Sequence, residues 1–443
     1  MLEPCGEAAV DGAVSDRALA RAMLDVEAAL ARSLERAGLA PAGTGQTVTH
    51  ALADLLVTPE TLARHSGGNP AAPLATQAVA AVSGGAAGAV HFGATSQDVL
   101  DSALMLCARQ ALAPMRRNLL RACEAAATLA DRRRDTLMVA RTLGQPALPT
   151  TFGLKAAGWL AGLSAAHREL TVIHESGLAA QLGGAAGTLA GYGDQGLTVA
   201  RLFAEEIGLA DPGVPWHTER SRLHRLAMGL SSVITAAGKV AVDVVLLAQA
   251  EVGEVSEGAP GGSSAMPHKQ NPVGSVLLVS AARRAPGLVA TVLGSGLHEH
   301  ERAAGSWHAE WTPTRDLLRL AGGAASQVAD LLEQLRAHPD AMRRNLDAAM
   351  PGVMSEALAA ALIPALGRGG AQKAAHRAAV EAAASGRRLS QAAMADPEIA
   401  ASLDSAALDA RKLHDLDHPA RHLGAANQII DHALAERPTG LEA

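Results

Sequence analysis

Residues 223–247, LHRLAMGLSSVITAAGKVAVDVVLL, place apolar side chains at Leu223, Leu226, Leu230, Val233, Ala237, Val240, Val244 and Leu247, four successive a/d pairs. Steps of three and four residues sustained this long predict one long α-helix with a single apolar stripe. A helix from about 219 to 254 spans roughly 54 Å at 1.5 Å per residue. That is too long for one compact domain to cover, so the stripe is expected to pack on neighbouring helices and on other subunits. Lys239 and Asp243 interrupt it.

The flanking sequence repeats the pattern. Leu317, Val328, Leu331 and Leu335 predict a second helix over about 314–336. Near the start, Ser15 followed by Leu19, Met23, Val26, Leu30 and Leu34, with Gly38 and Pro41 beyond, reads as a capped amphipathic helix with a stop signal. Residues 60–98 are rich in Gly, Pro, Ser and Asn, and helical spacing resumes near Val99 through Leu104, Cys107, Ala111 and Leu119. After residue 350, Pro351, Pro364, Gly369, Gly370 and Pro397 cut the chain into short helices. We therefore expect an all-α chain with an N-terminal helical unit (1–103), a central long-helix unit (104–349) and a small C-terminal helical unit (350–443).

Composition agrees. Apolar residues make up 49% of the 443 but aromatics only 2%, so the core is Ala, Leu and Val, which suits close helix packing. With 38 basic and 44 acidic residues the net charge is −6, which offers no footprint for nucleic acid, and any anion site must be basic only locally. Cys5, Cys107 and Cys123 fit neither a disulfide framework nor paired zinc spacing, so a reducing, cytoplasmic setting is expected. The N-terminus lacks the basic and apolar regions of a signal peptide. The longest uncharged stretch, after Arg64, is broken by Pro70, Pro73 and several glycines, so no membrane segment is expected.

Four polar, glycine-punctuated segments exceed what a helical scaffold needs. In HFGATSQDVLD (91–101), Thr95 and Ser96 precede a helix with Asp98 in its first turn. They read either as a plain N-cap or as hydroxyls and free amides that bind a carboxylate. In ARTLGQPALPTTFG (140–153), Arg141 lies among apolar residues and requires an anionic partner, either a structural ion pair or a ligand. The glycines of LGGAAGTLAGYG (182–193) permit close backbone approach by another segment or by a ligand. The fourth, EGAPGGSSAMPHKQNPVGS (257–275), combines Ser263, Ser264, Lys269 and Asn271 with flanking glycines and prolines, as in a closing lid between long helices. A hydroxyl, a cation and an amide so close together are able to hold a carboxylate and move a proton on its α-carbon.

These segments resemble a known family. GSSAMPHKQNP is similar to the signature of the fumarase/aspartase superfamily, and GATSQD and the Arg141–Thr142 segment fall where its other two conserved regions stand. HFGATSQDVLDSA, TTFGLKAAGWL, PWHTER, HEHERAAGSWHAEW and HPARHLGAANQIIDHAL resemble its 3-carboxy-cis,cis-muconate cycloisomerase branch in particular. The resemblance covers nearly the whole chain. It implies a homotetramer whose central bundle is completed by tetramerisation and whose active sites are shared between subunits. By resemblance Ser263 is the proton-transfer serine. Thr95, Ser96, Arg141, Thr142, Lys269 and Asn271 match carboxylate-binding positions. Ser264, Gln97, His91, His217 and Arg302 are further candidates, Arg302 from the stretch typical of the cycloisomerases that also holds Trp307. The substrate implied is a small polycarboxylate, with no cofactor and no metal.

Two departures narrow the reaction. Fumarases, argininosuccinate lyases and adenylosuccinate lyases have a histidine directly after the Arg-Thr pair and a glutamate thirteen residues beyond the serine; here those positions are Leu143 and Val276. A second family histidine is replaced by Pro146. Water or an amine is a poor leaving group and needs a general acid. A carboxylate, with a reference pKa near ~4, attacks or leaves unprotonated at neutral pH. The pattern therefore points to lactonising cycloisomerisation. The alternative is a fumarate-releasing lyase with a weakly basic leaving group such as nitrite. A non-enzymatic role, known for this fold in the eye lens, is disfavoured by the intact Ser263, Lys269 and Asn271.

Overall fold

The computed structural model describes residues 5–58, 68–259, 261–262, 266, 269–404 and 408–440. The central bundle combines α1 (Asp16–Arg36), α2 (Ser96–Arg132), α3 (Phe152–Val172), α4 (Ser221–Leu247), α5 (Val273–Gly294) and α6 (Ser306–Gln334). Helix α4 packs against α3, α5 and α6, while α2 packs against α1, α3 and α6. The predicted stripe is the inner seam: all eight of its a/d residues are buried. Its polar interruptions are satisfied locally, Lys239 Nζ on Asp243 Oδ1 at 2.5 Å and the Trp159 indole N–H donating to Asp243 Oδ2 at 2.7 Å.

Local signals set the helix ends. Ser15 Oγ accepts from the Ala18 N–H at 3.1 Å and opens α1, as its sequence predicts. Helix α4 stops at Leu247, not near 254, and is therefore roughly 40 Å long. The chain turns there because the Glu254 N–H returns to the Leu247 carbonyl at 2.9 Å and Glu254 is drawn into a buried ion pair. Helix α6 begins at Ser306, earlier than its apolar spacing suggests, and carries Pro313 inside it. The boundary expected near residue 103 falls within α2, whose inner face is buried without a break on both sides of it.

Two small sheets interrupt the helices, a feature that the all-α reading did not include. Strands β1 (Leu137–Thr142) and β2 (Gln145–Thr151) form an antiparallel hairpin with Thr142 opposite Gln145. Its two-residue turn, Leu143–Gly144, has φ of 52° and 80°. Such a turn matches the strands' right-handed twist, with Gly144 adopting its conformation without steric cost. Val255–Ser256 pairs with Arg336–Ala337.

A second core unites Leu346, Val353, Leu358, Leu362, Ile399 and Leu416 with Val139 of the hairpin. The C-terminal part is less fragmented than its prolines suggest, since Ser355–Ser385 runs as one element broken at Gly367, with Pro364 inside it. Helix Ala426–Ala435 returns to α3 and buries Ile430 in the main core.

By length and composition alone, α4 and α5 are each long and apolar enough to cross a membrane. Both are nonetheless members of the bundle. Met228, Val242 and Leu246 on α4, and Val273, Val276 and Leu293 on α5, leave apolar side chains exposed on the single chain.

Candidate active site

Thr95 is the N-cap of α2, and its N–H donates to Asp98 Oδ2 at 3.0 Å. The capping reading of this segment holds, and beneath it lies more. Asp98 is 1% exposed and also accepts from the Gly183 and Gly184 N–H groups, both at 2.9 Å, and meets His217 Nε2 at 2.6 Å. A buried carboxylate satisfied from four directions fixes the helix start, the glycine-rich segment and His217 as one body. The glycines of 182–193 serve backbone against backbone: a Cβ at Gly184 would lie 2.7 Å from the Gly93 carbonyl oxygen. The Tyr192 hydroxyl completes the clamp by donating to the Phe92 carbonyl at 2.9 Å.

The same neighbourhood collects most of the further candidates. Gln97 is buried, donates to the His217 carbonyl at 2.9 Å and to Asp101 Oδ2 at 3.1 Å, and accepts from Arg302 Nη1 at 2.8 Å. Arg302 Nη2 donates to the Ala185 carbonyl at 2.8 Å, so this guanidinium fastens the 298–304 segment to the glycine-rich loop. His91 contacts the buried Glu27 twice, through its N–H at 2.8 Å and through Nδ1 at 2.6 Å. Thr95 and Ser96 remain partly accessible at the helix start.

An ionic cluster unforeseen in the sequence supports this wall. Arg220, 2% exposed, lies between Asp101 (2.8 Å) and Glu310 (2.7 Å), with its guanidinium 4.8 Å from the Trp216 ring centre. Burial alone would favour the neutral guanidine, but the charges of Asp101 and Glu310 outweigh it and push the pKa up. The Trp307 indole N–H donates to Asp101 Oδ1 at 2.9 Å, and His298 Nε2 meets Glu310 Oε1 at 3.1 Å. Asp98 and Asp101 project one turn apart from the same side of α2, and both are buried.

Arg141 is placed elsewhere. Its two terminal nitrogens grip both oxygens of the fully buried Glu254 at 2.9 and 2.8 Å, and Asn345 Nδ2 adds a bond to Glu254 at 2.8 Å. Arg141 thus forms an ion pair, while a quarter of its side chain remains exposed. It ties the hairpin to the segment that leads into the 257–275 loop. Thr142 is exposed at the hairpin end, beside a fully exposed Leu143.

Ser263 and Ser264 lie outside the described residues. The base of their loop is built: Gly261 and Asn271 exchange two backbone hydrogen bonds of 2.9 Å, and the Lys269 N–H donates to the Met266 carbonyl at 2.9 Å. Glu257 caps α5, accepting from Ser275 Oγ at 2.6 Å and from the Ser275 and Gly274 N–H groups at 2.7 and 3.1 Å. Lys269 is exposed on this loop, and Val276 is 51% exposed on the adjacent first turn of α5.

Three groups thus emerge: the 91–98 wall, the Arg141–Thr142 hairpin and the 257–275 loop. Among the described residues no hydrogen bond or ion pair joins one group to another. No set of three or more His, Cys, Asp or Glu side chains among them is arranged to hold a metal.

Known proteins share the sequence and fold of this chain. A family model described as lyase matches residues 8–287, and one described as adenylosuccinate lyase C-terminus matches residues 351–433. The chain is 43% identical to a 3-carboxy-cis,cis-muconate cycloisomerase of Pseudomonas aeruginosa, over 95% of this chain and 93% of that one. It is 42% identical to a nitrosuccinate lyase of Streptomyces davaonensis, over 96% and 92%. The crystal structure of a 3-carboxy-cis,cis-muconate lactonizing enzyme from Pseudomonas putida superposes with a TM-score of 0.87 at 36% identity, covering 98% of this chain and 97% of that one.

Proposed function

The chain belongs to the lyase family of the fumarase/aspartase superfamily, and on that premise we propose that it is a cycloisomerase that closes 3-carboxy-cis,cis-muconate to 4-carboxymuconolactone in aromatic degradation through the β-ketoadipate route. The observation that carries this reading is the pair Leu143 and Val276: apolar, exposed side chains stand at the two positions where the superfamily resemblance implies a His–Glu dyad in members that expel water or an amine. Lactone formation has no need of that dyad. One substrate carboxylate adds to a conjugated double bond while the carbon α to another carboxylate gains a proton, and the attacking carboxylate is already ionised at neutral pH.

In this reading Ser263 transfers the α-proton. Lys269, Asn271, Thr142 and the Thr95 and Ser96 hydroxyls hold the carboxylates and stabilise the aci-carboxylate intermediate. Arg141 acts through Glu254, fixing the hairpin that presents Thr142. Because the substrate brings about three negative charges to a chain of net charge −6, these few donors must focus the field in a partly dry cleft. The three groups are brought together between chains of a homotetramer, a reading supported by the lack of any hydrogen bond or ion pair between them among the described residues and by the exposed apolar faces of α4 and α5. Cys107 and Cys123 are buried free thiols and Cys5 is buried as well, in keeping with work in the cytoplasm.

The test is to add 3-carboxy-cis,cis-muconate and follow the ultraviolet absorbance of the conjugated diene. Loss of absorbance with product of unchanged mass is expected; no loss with folded protein overturns the assignment. A second reading, expulsion of nitrite from nitrosuccinate to leave fumarate, is favoured by the 42% identical lyase and suits the same missing acid. Two product fragments in place of an isomer would identify it.

A further inference from the structure

Glu257 opens the 257–275 stretch, is 7% exposed, and takes all its side-chain bonds among the described residues from the far end of that stretch. Oε1 accepts from the Ser275 hydroxyl at 2.6 Å and from the Ser275 N–H at 2.7 Å, and Oε2 accepts from the Gly274 N–H at 3.1 Å. No Lys, Arg or His among the described residues pairs with it. A carboxylate out of water without a counter-cation is costly, and the free amides and positive dipole end of α5 take the cation's place. A helix start needs only a local cap, yet Pro272 at the N-cap offers no side-chain bond, and the cap comes from 17 and 18 residues upstream.

The clamp this makes has little slack. Just ahead of it Val255–Ser256 is paired with Arg336–Ala337, a Cβ at Gly258 would lie 2.6 Å from the Gln334 carbonyl oxygen, and a Cβ at Gly261 would overlap the Val273 side chain. Asn271 lies inside the clamp and is held by its backbone, exchanging two 2.9 Å bonds with Gly261 and accepting the Val273 N–H at 2.9 Å. The residues that Glu257 grips follow Asn271 within one helical turn. A cavity of about 460 Å³ opens beside the carboxylate, with Gly258, Gly274, Gln327 and Asp330 in its lining.

We propose that Glu257 is a positioning residue: by gripping the start of α5 across the stretch it sets the place of Asn271, and with it the affinity for a substrate carboxylate. This rests on the polycarboxylate reading above and adds to it the group that holds one of its ligands. The charge of Glu257 cannot itself be the benefit. A fixed negative charge repels a polyanionic substrate, so if charge were all that mattered its removal would tighten binding. Positioning predicts the opposite sign.

The experiment compares the full-length wild type, Glu257→Ala and Glu257→Gln. It reads KM and kcat for 3-carboxy-cis,cis-muconate, the dissociation constant of the saturated tricarboxylate tricarballylate by calorimetry, and the melting temperature. Glu257→Ala removes all three bonds, so KM and the dissociation constant should rise about tenfold, the scale of one lost hydrogen bond to the substrate, with kcat changed less than about threefold. Glu257→Gln keeps an acceptor for Ser275 but turns an amide N–H toward the Gly274 N–H, and should raise KM about threefold. The alanine variant lacks the carbon and carboxylate that acetate supplies, and the cavity admits it. Added acetate should therefore bring KM and the dissociation constant of Glu257→Ala back to within about threefold of wild type in the same buffer, while chloride at equal ionic strength should not. A structural role alone would lower the melting temperature and leave KM at the wild-type value. That result, a KM that falls, or no recovery with acetate overturns the proposal. Should Glu257→Ala not fold, Glu257→Gln decides: a raised KM upholds the clamp, and an unchanged or lower KM overturns it. Should wild type leave the muconate untouched, the functional reading falls and tricarballylate alone decides. A dissociation constant raised in Glu257→Ala and recovered by acetate upholds the positioning role, and an unchanged constant or no binding to wild type overturns it.

Discussion

Replacing Arg141 and Glu254 by Met, singly and together, tests whether Arg141 is an anchor or a ligand. In the single Arg141→Met chain, Glu254 stays fully buried and keeps one side-chain bond, from Asn345 at 2.8 Å. Breaking a buried pair by removing one partner costs about 3–5 kcal/mol, because the other charge is left uncompensated. With Asn345 in place we expect the lower end, about 3 kcal/mol, or a melting temperature lower by about 3 °C for a chain of this length. Glu254→Met should cost less, since the Arg141 side chain is 25% exposed and its charge can reach water. The double variant removes both charges and fills their volume, so its stability should return to within about 1 kcal/mol of wild type. Thermal unfolding at fixed protein concentration reads this, and KM and kcat for the muconate are measured on the same samples. If Arg141 acts only through Glu254, the double variant restores KM to within about threefold. A double variant as stable as wild type but with KM raised tenfold or more would refute the anchor and place Arg141 on the substrate.

Ser263→Ala should lower kcat by about a thousandfold or more with a modest change in KM, read by loss of diene absorbance; near-wild-type kcat would remove Ser263 from the mechanism. His167 is buried with Nε2 unpaired among the described residues, and burial, with the charges of Arg116 and Arg168, pulls its pKa down to about 4. The unfolded imidazole takes a proton near pH ~6.5 while the folded one does not, so its contribution is intact above that pH and is lost progressively as pH falls toward 4. His167→Leu should therefore shrink the drop in melting temperature between pH 7.5 and 5, and an unchanged drop counts against this account. Burial pushes the Cys107 and Cys123 thiols up to about 12 and about 11, so neither should react with a thiol reagent at pH 8 until the chain is unfolded. Rapid labelling of the native protein at either position would contradict the buried placement.

The sequence by itself determined the helical architecture, because periodicity is a local property. The a/d spacing from Leu223 to Leu247 specifies a buried seam whatever lies opposite it, and Ser15 and Thr95 specify helix starts by chemistry confined to one turn. The segments proposed to carry chemistry stand out in the sequence because hydroxyls, glycines and a lysine in a short loop have no use in a helical core. Partnership was decided only by the tertiary structure. Arg141 needs an anion, and sequence could not distinguish a substrate from Glu254, which stands 113 residues away along the chain. Asp98, Asp101, Arg220, Glu310 and Glu27 look like ordinary surface charges along the chain, yet each is buried against residues from 64 to 119 positions distant. A charge in the interior is tolerable only with its counter-charge in contact. Contact between such distant residues is set by how the helices pack, not by any property of the residues beside them.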